Sequence, residues 1–180
     1  KTVKWAESDP NSFYELMEML TEVLIGYVKM QAKSGVDAIQ IFDSWNALCP
    51  NSSVQDWSLN WIDRIASAVS SNVPVILYAK APSERLQHLS KCKVSGISID
   101  HETDLKYARN TLPAHFTLQG NLDPALMETN KETVKKTTGE LLNKMDGDSG
   151  HILNLGHGIR PKAKVECMES LVETVLTYPN

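Results

Sequence analysis

The hydrophobic residues of the chain follow two alternating patterns, and the first of them predicts helices. The longest helical pattern covers residues 10–33, where apolar residues recur every three or four positions. Asp9 or Ser8 can cap its start, Pro10 suits its first turn, and Gly35 ends it. The expected inner face consists of Phe13, Leu16, Met17, Leu20, Leu24 and Val28.

Further helical patterns occupy the segments between short apolar runs. They cover residues 56–70, 83–91, 104–110, 131–145 and 163–176, and a single helical turn follows Asp123-Pro124. We expect the last helix to face the core with Val165, Met168, Leu171, Val172 and Val175.

The second pattern consists of five short apolar runs that predict β-strands. They cover residues 36–42, 73–78, 94–99, 115–119 and 151–155. Each run is apolar on both faces, which is typical of a parallel sheet covered by helices. The strand ends recur at a mean spacing of about 28 residues, close to the roughly 31 that each unit of a (β/α)8 barrel needs. The pattern therefore predicts an α/β fold built from five βα units, in one domain covering residues 1–180.

A doubly wound parallel sheet would show the same alternation of strands and helices. No glycine-rich phosphate-binding fingerprint follows any of the strands, so a nucleotide site of that kind is not indicated. Five units are also too few to close an eight-stranded barrel. We therefore expect part of a barrel.

Polar residues gather where the predicted strands end. The ends of parallel strands lie on one rim, which is where barrel enzymes build their sites. This rim would carry Asp43, Ser44, Lys80, Asp100, Asn121, Asp123 and His157, with Arg160 close behind. Acids, a hydroxyl, two cations and a histidine suit an anionic or polar substrate.

Ser44 and His157 are the strongest candidates in this set. His157 lies between Gly156 and Gly158, on a tight turn just beyond an apolar strand. Glycine tolerates positive φ and leaves room for another molecule to approach the backbone. An exposed loop histidine is the alternative interpretation of the same residues.

Other rim residues and histidines have structural interpretations of equal or greater weight. Asp123 precedes Pro124 and predicts a helix cap. Asp100 can bond the amides of its own turn, and Lys80 can be a solvated loop lysine. The remaining histidines, at positions 88, 101, 115 and 151, are expected at the surface or at strand starts.

Composition and charge restrict the partners. The chain has 180 residues, of which 42% are hydrophobic and 22% charged, with a formal net charge of -4. This balance gives no electrostatic footprint for nucleic acid. No apolar run reaches the length of a membrane span, and the first residues lack the apolar core of a signal peptide. The chain does not begin with Met, so we expect a fragment or a processed product.

The three cysteines are widely spaced along the chain. Cys49, Cys92 and Cys167 form no C-x-x-C or H-x-C pair, so neither a disulfide framework nor a local zinc motif is indicated. A reducing compartment, the cytoplasm, is the simplest expectation.

Four segments together resemble the uroporphyrinogen decarboxylase family. They are IQIFDSW at 39–45, GISID at 96–100, LQGNLDP at 118–124 and NLGHGI at 154–159. They stand in the order found in that family, and the similarity spans essentially the whole chain. Two departures concern pocket shape: His101 stands where tryptophan is usual, and Asn46-Ala47 where a small pair such as Ala-Gly is common.

The resemblance implies a distorted (β/α)8 barrel that forms a homodimer in the cytoplasm, or in plastids of photosynthetic eukaryotes. Such enzymes convert uroporphyrinogen III to coproporphyrinogen III by removing carbon dioxide from four acetate side chains, and use no cofactor or metal. Protonation of a pyrrole carbon makes the ring an electron sink. In the family, an aspartate stabilises the resulting cation, and arginines bind substrate carboxylates.

The resemblance places the family's catalytic residues outside this chain. Its arginine motif, aspartate and cleft tyrosine belong to the part of the barrel that precedes these residues, so no catalytic residue is expected here. Ser44 and His157 match positions that contact the substrate's carboxylates, while Asp100 and Asn121 match motif positions that are structural first. The chain is therefore interpreted as the C-terminal half of the enzyme, inactive in isolation.

Two alternatives stay open. A related branch of the superfamily moves methyl groups from corrinoid proteins to thiols on a zinc ion held by histidine and cysteines. Here no H-x-C pair exists, and Cys167 is the cysteine nearest to His157, ten residues away. The other alternative is a half-barrel without catalytic activity in nature.

Overall fold

The structure, a computed structural model, describes residues 1–80 and 83–179. Its α-helices are α1 (Thr2–Ser8), α2 (Pro10–Lys33), α3 (Asn60–Ser67), α4 (Leu86–Leu89), α5 (Leu105–Thr111), α6 (Lys131–Lys144) and α7 (Val165–Leu176). Its strands are β1 (Ile39–Asp43), β2 (Val75–Ala79), β3 (Gly96–Ser98), β4 (Thr117–Gln119) and β5 (His151–Ile152). Short 3-10 turns cover Asn46–Leu48, Ser83–Arg85 and Pro124–Glu128, and a π-helical turn covers Gln55–Leu59.

The five strands form one parallel sheet in the order β1-β2-β3-β4-β5. β1 pairs with β2 from Ile39 opposite Val75 to Asp43 opposite Ala79, and β4 pairs with β5 from Leu118 opposite His151. The alternation of strands and helices confirms the predicted α/β fold of five βα units. The described residues divide into two compact units, one spanning Lys1–Ile97 and the other beginning at Ser98.

Burial follows the position of each strand in the sheet. β2 and β3 are buried along their whole length, as the two-sided apolar runs predict. β1 and β5 stand at the two ends of the sheet and are only partly buried. β5 is shorter than predicted, and Leu155 forms an isolated parallel bridge with Leu122 beyond it.

In the first unit, α2 begins and ends where the sequence predicts. The Asp9 carboxylate accepts from the Ser12 amide at 3.2 Å, which caps the helix. Phe13 and Val28 are buried, but Leu16, Leu20 and Leu24 are exposed, so the predicted inner face is wrong at those positions. The helix is apolar on more than one side, and periodicity alone does not say which side is covered.

The sequence pattern does not predict helix α1, because no side chain caps it and few of its residues are apolar. It is held by Ala6, which is buried, and by Trp5, whose ring meets that of Phe13 edge-on at 5.8 Å. These contacts are tertiary, so a pattern within the segment gives little indication of them.

In the second unit, α6 packs against α7 through small and polar residues. Thr138, Cys167, Ser170 and Leu171 are buried, and the Ser170 hydroxyl donates to the Lys131 carbonyl at 3.0 Å. The predicted inner face of α7 is right at Leu171, which is buried, and in part at Met168, which is partly covered. It is wrong at Val165, Val172 and Val175, which are exposed. Small side chains let the helix backbones approach closely. They score low on hydrophobicity scales, so an apolar pattern does not mark them as buried.

Within residues 1–80 and 83–179, no helix combines the length and the apolar character needed to cross a membrane.

Candidate functional site

The turn that follows β1 carries Ser44. Backbone hydrogen bonds to Lys80, the residue after β2, hold this turn on both sides of Ser44. We call residues 44–48 the β1 turn. The Lys80 amide donates to the Asp43 carbonyl at 3.2 Å, just before the turn. The Lys80 carbonyl accepts from the Ala47 amide at 2.8 Å, inside it. The backbone of Lys80 therefore brackets Ser44, which is a role that its side-chain charge did not suggest.

A partly buried network of neutral and charged groups supports the β1 turn. The Asp43 carboxylate accepts from the Asn46 amide at 2.7 Å and from the Ser58 hydroxyl at 2.5 Å. Asn46 is only 1% exposed. Burying an amide costs free energy unless it is hydrogen-bonded, so these bonds favour the observed conformation of Asn46.

Arg85 completes this network. It is 3% exposed, and its guanidinium donates to the Asn46 side chain at 2.8 Å and to the Cys49 carbonyl at 2.8 Å. It also donates to the Asn46 carbonyl and to the side chain of Asn51. Sequence reasoning missed Arg85 because it lies in a predicted helix; its link to the unusual Asn46 appears only in three dimensions.

Ser44 itself is exposed at the surface of the first unit. Its hydroxyl makes no hydrogen bond to any residue that the structure describes. Its neighbours Phe42, Trp45 and Leu48 are large, apolar and exposed as well. The β1 turn thus presents one hydroxyl among apolar side chains, an arrangement suited to a ligand with both ring and polar groups.

A cleft of about 520 Å³ lies beside the β1 turn within the first unit. Asp43, Asn46 and Ser58 form its polar wall, while Phe13, Phe42, Trp45, Trp57 and Trp61 supply aromatic surface. Its size falls in the range of small-molecule sites, about 300–1,000 Å³.

In the second unit, Asp100 closes the turn that follows β3. It is 6% exposed, and one carboxylate oxygen accepts from the amides of Glu102 and Thr103 at 3.1 and 3.0 Å, and from the Thr103 hydroxyl at 2.9 Å. These contacts match the structural interpretation of Asp100 as a turn acceptor.

Asn121 joins the same turn from the end of β4. Its side-chain amide donates to the carbonyls of Asp100 and Thr103 at 2.8 and 2.6 Å. The structure therefore brings the two predicted rim residues Asp100 and Asn121 together as parts of one rigid turn.

His157 lies just beyond this turn and is exposed. The Gly156 amide donates to the Leu122 carbonyl at 2.8 Å. A Cβ at Gly156 would lie 2.2 Å from the His101 amide nitrogen, so this glycine is required by the chain's own backbone. The expectation that it leaves room for another molecule is wrong at Gly156. A Cβ at Gly158, by contrast, would have no atom of the described residues within 4 Å.

The remaining predicted residues take structural or exposed positions. The Asp123 carboxylate accepts from the Ala125 amide at 2.8 Å, which confirms the predicted cap, and lies 4.0 Å from His101 Nε2. Arg160 is exposed and accepts through its carbonyl from Ala163 at 3.0 Å. His151 starts β5, and its Nε2 donates to the Gly120 carbonyl at 2.8 Å.

Two of the three thiols have raised pKa values. Burial, reinforced by the negative charge of Asp63, raises the pKa of Cys92 to about 12. Burial also raises the pKa of Cys49. A raised pKa keeps these two thiols protonated at neutral pH. In the described part of the chain, no three histidine, cysteine, aspartate or glutamate side chains converge as a metal site would require.

The parallel sheet, the βα repeats and the polar turns at strand ends define a protein of the (β/α)8-barrel class. The family model for uroporphyrinogen decarboxylase (URO-D) matches residues 1–178, and the chain belongs to that family.

Curated relatives agree with this assignment. A uroporphyrinogen decarboxylase of Protochlamydia amoebophila is 35% identical over 97% of this chain and 48% of its own length. One of Ruthia magnifica is 31% identical over 93% of this chain and 50% of its own length. The chain spans about half the length of the curated relatives it matches, which agrees with the predicted C-terminal half of a barrel.

Among solved structures, a methyltransferase from Methanosarcina mazei superimposes with a TM-score of 0.85. The match covers 96% of this chain and 51% of the methyltransferase, at 21% identity. This likeness establishes the fold and carries no information about the reaction.

Proposed function

We propose that this chain forms part of the substrate pocket of a uroporphyrinogen decarboxylase. The complete enzyme would convert uroporphyrinogen III to coproporphyrinogen III by removing carbon dioxide from four acetate side chains. The observation that carries the proposal is the family match over residues 1–178. It is supported by Ser44 and His157, which are exposed on turns whose backbones are held by hydrogen bonds or close packing.

In this proposal, Ser44 and His157 bind side-chain carboxylates of the tetrapyrrole. The Ser44 hydroxyl donates one hydrogen bond, and the His157 ring donates more strongly when it is protonated. Lys80 and Arg160 add positive charge at the rim. Asp100 and Asn121 do not touch the substrate; they hold the turn beside which His157 lies.

The proposed reaction needs residues that are not found in these 180 positions. Decarboxylation requires protonation of a pyrrole carbon and an acidic group that stabilises the resulting cation. The family's aspartate and arginines would supply these functions from the rest of the barrel, without cofactor or metal. We therefore propose that the isolated chain does not decarboxylate uroporphyrinogen. The complete enzyme would be a homodimer in the cytoplasm or a plastid.

The test uses the complete enzyme that contains this chain. His157→Ala and Ser44→Ala should each raise KM for uroporphyrinogen, by about 3–30-fold, because a hydrogen bond to a charged group contributes about 1.5–3 kcal/mol in a site and less where water competes. The measurement is the steady-state rate of coproporphyrinogen formation over a range of substrate concentrations.

Matched controls separate pocket effects from general ones. His88→Ala removes a histidine from α4, and Ser71→Ala removes an exposed hydroxyl from the turn before β2. Both should leave KM within about twofold, as surface changes usually do. Equal kinetics for His157→Ala and His88→Ala would remove His157 from the site.

A further inference from the structure

We propose that Arg85 is a positioning residue, which holds Ser44 in place for substrate binding without touching the substrate. This inference rests on the proposed function of Ser44. It assigns a role to a buried arginine and to the departure from the family pattern at Asn46, and all the residues involved belong to the first unit.

The first argument is the burial of the Arg85 charge. A guanidinium removed from water is stable only if its donors are satisfied. Among the described residues, every acceptor that Arg85 contacts is a carbonyl or side-chain amide oxygen of residues 46–51. The charge therefore fixes the conformation of this segment, because any rearrangement would leave buried donors without acceptors.

The second argument is the path from Arg85 to Ser44. Arg85 holds the oxygen end of the Asn46 side chain at 2.8 Å, which turns the amide's nitrogen toward the Asp43 carboxylate at 2.7 Å. Asp43 immediately precedes Ser44, and Asn46 follows it by two residues. Fixing these two residues restricts the backbone of Ser44 between them, so its hydroxyl is held in one region for the substrate.

The third argument concerns the unusual residue at position 46. The resemblance to the family leads us to expect a small side chain there, and the chain has asparagine instead. Its amide donates to Asp43 and Ser58 and its oxygen accepts from Arg85. A small residue could make none of these bonds, so Asn46 and Arg85 act as one connected device.

The test compares Arg85→Gln, Ser44→Ala and the double variant in the complete enzyme. Arg85→Gln should raise KM for uroporphyrinogen about three- to tenfold, as expected for a misplaced hydrogen bond, with kcat within about twofold. In the Ser44→Ala background, Arg85→Gln should add less than about twofold, because the group that it positions is already absent.

Arg109→Gln is the matched control. Arg109 also donates to two backbone carbonyls, those of Phe116 at 2.9 Å and Pro113 at 2.8 Å, but it belongs to the second unit. Its loss should lower the unfolding temperature and leave KM unchanged. Kinetics are measured below the unfolding temperature of every variant, so that a merely structural role would not alter KM.

Two outcomes overturn the inference alone, provided that Ser44→Ala raises KM. They are an unchanged KM in Arg85→Gln, and a full additional increase when Arg85→Gln is placed in the Ser44→Ala background. An unchanged KM in Ser44→Ala overturns the proposed role of Ser44 and this inference with it. Asn46→Ala cuts the same path without removing a charge, and it carries the same expectations if Arg85→Gln does not fold.

Discussion

At the scale of single residues, two glycines let the turns of the second unit approach each other. Gly120 has a φ of +137°, and a Cβ there would lie 2.7 Å from the Ile99 carbonyl oxygen. Gly156 does not have a positive φ, but its Cβ would meet the backbone of His101. At both positions two main-chain segments are in contact. The contact at Gly156 positions the next residue, His157.

We expect Gly156→Ala to destabilise the chain and displace His157. A backbone amide cannot move aside as a flexible side chain can, so the substitution should lower the free energy of unfolding by about 1–3 kcal/mol or more. Gly158→Ala is the control, because no described atom lies within 4 Å of where its Cβ would stand. The measurement is the urea midpoint of unfolding of the two variants. Equal midpoints would show that the turn containing Gly156 relaxes easily.

The residue scale also shows where sequence reasoning succeeds. Asp123 and Asp100 bond nearby amides, and such local bonds can be predicted from the order of residues alone. Arg85 and Asn46 are 39 positions apart, and nothing between them indicates that they touch. Whether Ser44 and His157 bind a substrate stays a prediction, since exposure alone does not identify a ligand.

At the scale of elements, an ion-pair network joins α2 to α3. Arg64 donates to both carboxylate oxygens of Glu18, at 2.7 and 2.6 Å, and to Glu22 at 3.1 Å. Its guanidinium also lies over the Trp61 ring, 5.2 Å from the centroid. The hydrogen bonds from Arg64 hold the pKa of Glu18 below its ordinary value of 4.5.

This lowered pKa gives a signed expectation for pH dependence. The folded state favours ionised Glu18, so the contribution of the pair is present above pH 4.5 and is lost as the pH falls through the lower pKa of the folded chain. Arg64→Gln should raise the Glu18 titration midpoint, measured by NMR, toward 4.5. Lys29→Gln, on an exposed side of α2, is the control and should not move the midpoint. A midpoint that Arg64→Gln leaves unchanged would contradict the hydrogen-bond origin of the shift.

Elements differ in how much of them the sequence predicts. Helices α2, α5 and α6 carry capping side chains at Asp9, Asp104 and Asn130, and each begins within a residue of its prediction. The pattern also predicts the five strands, but it starts the first four two or three residues too early and ends the fifth three residues too late. Which side of α2 and α7 is covered could not be predicted, because both helices carry apolar residues outside the side that they bury.

At the scale of the whole molecule, the chain exposes an apolar surface along α2. We call this surface the α2 stripe: Met19, Val23, Tyr27 and Met30, which are 66, 66, 51 and 55% exposed. Their spacing places them along one side of the helix. Exposed apolar surfaces often mark interaction sites. The chain spans about half the length of its relatives, so we propose that the rest of the barrel covers the α2 stripe.

We therefore expect the isolated chain to associate with itself. A separate cause of association is the backbone of β1 and of β5, the first and last strands in the sheet order, which can pair with other strands. Sedimentation should give a mean mass above the 20.0 kDa of one chain. Val23→Lys should lower that mass, and Ser71→Lys, which adds the same charge in an exposed turn, should not.

Adding the remaining part of the barrel as a separate chain should have two effects if the α2 stripe and the strand edges drive this association. It should lower the mean mass of the self-associated species, because both surfaces become covered. It should also restore some decarboxylation of uroporphyrinogen, which the isolated chain should not catalyse.

A 20.0 kDa monomer that unfolds cooperatively and does not bind the added part would contradict the proposed role of the α2 stripe. Restored assembly without any turnover would leave the role of the surface intact and count against the proposed reaction, because the two depend on different residues.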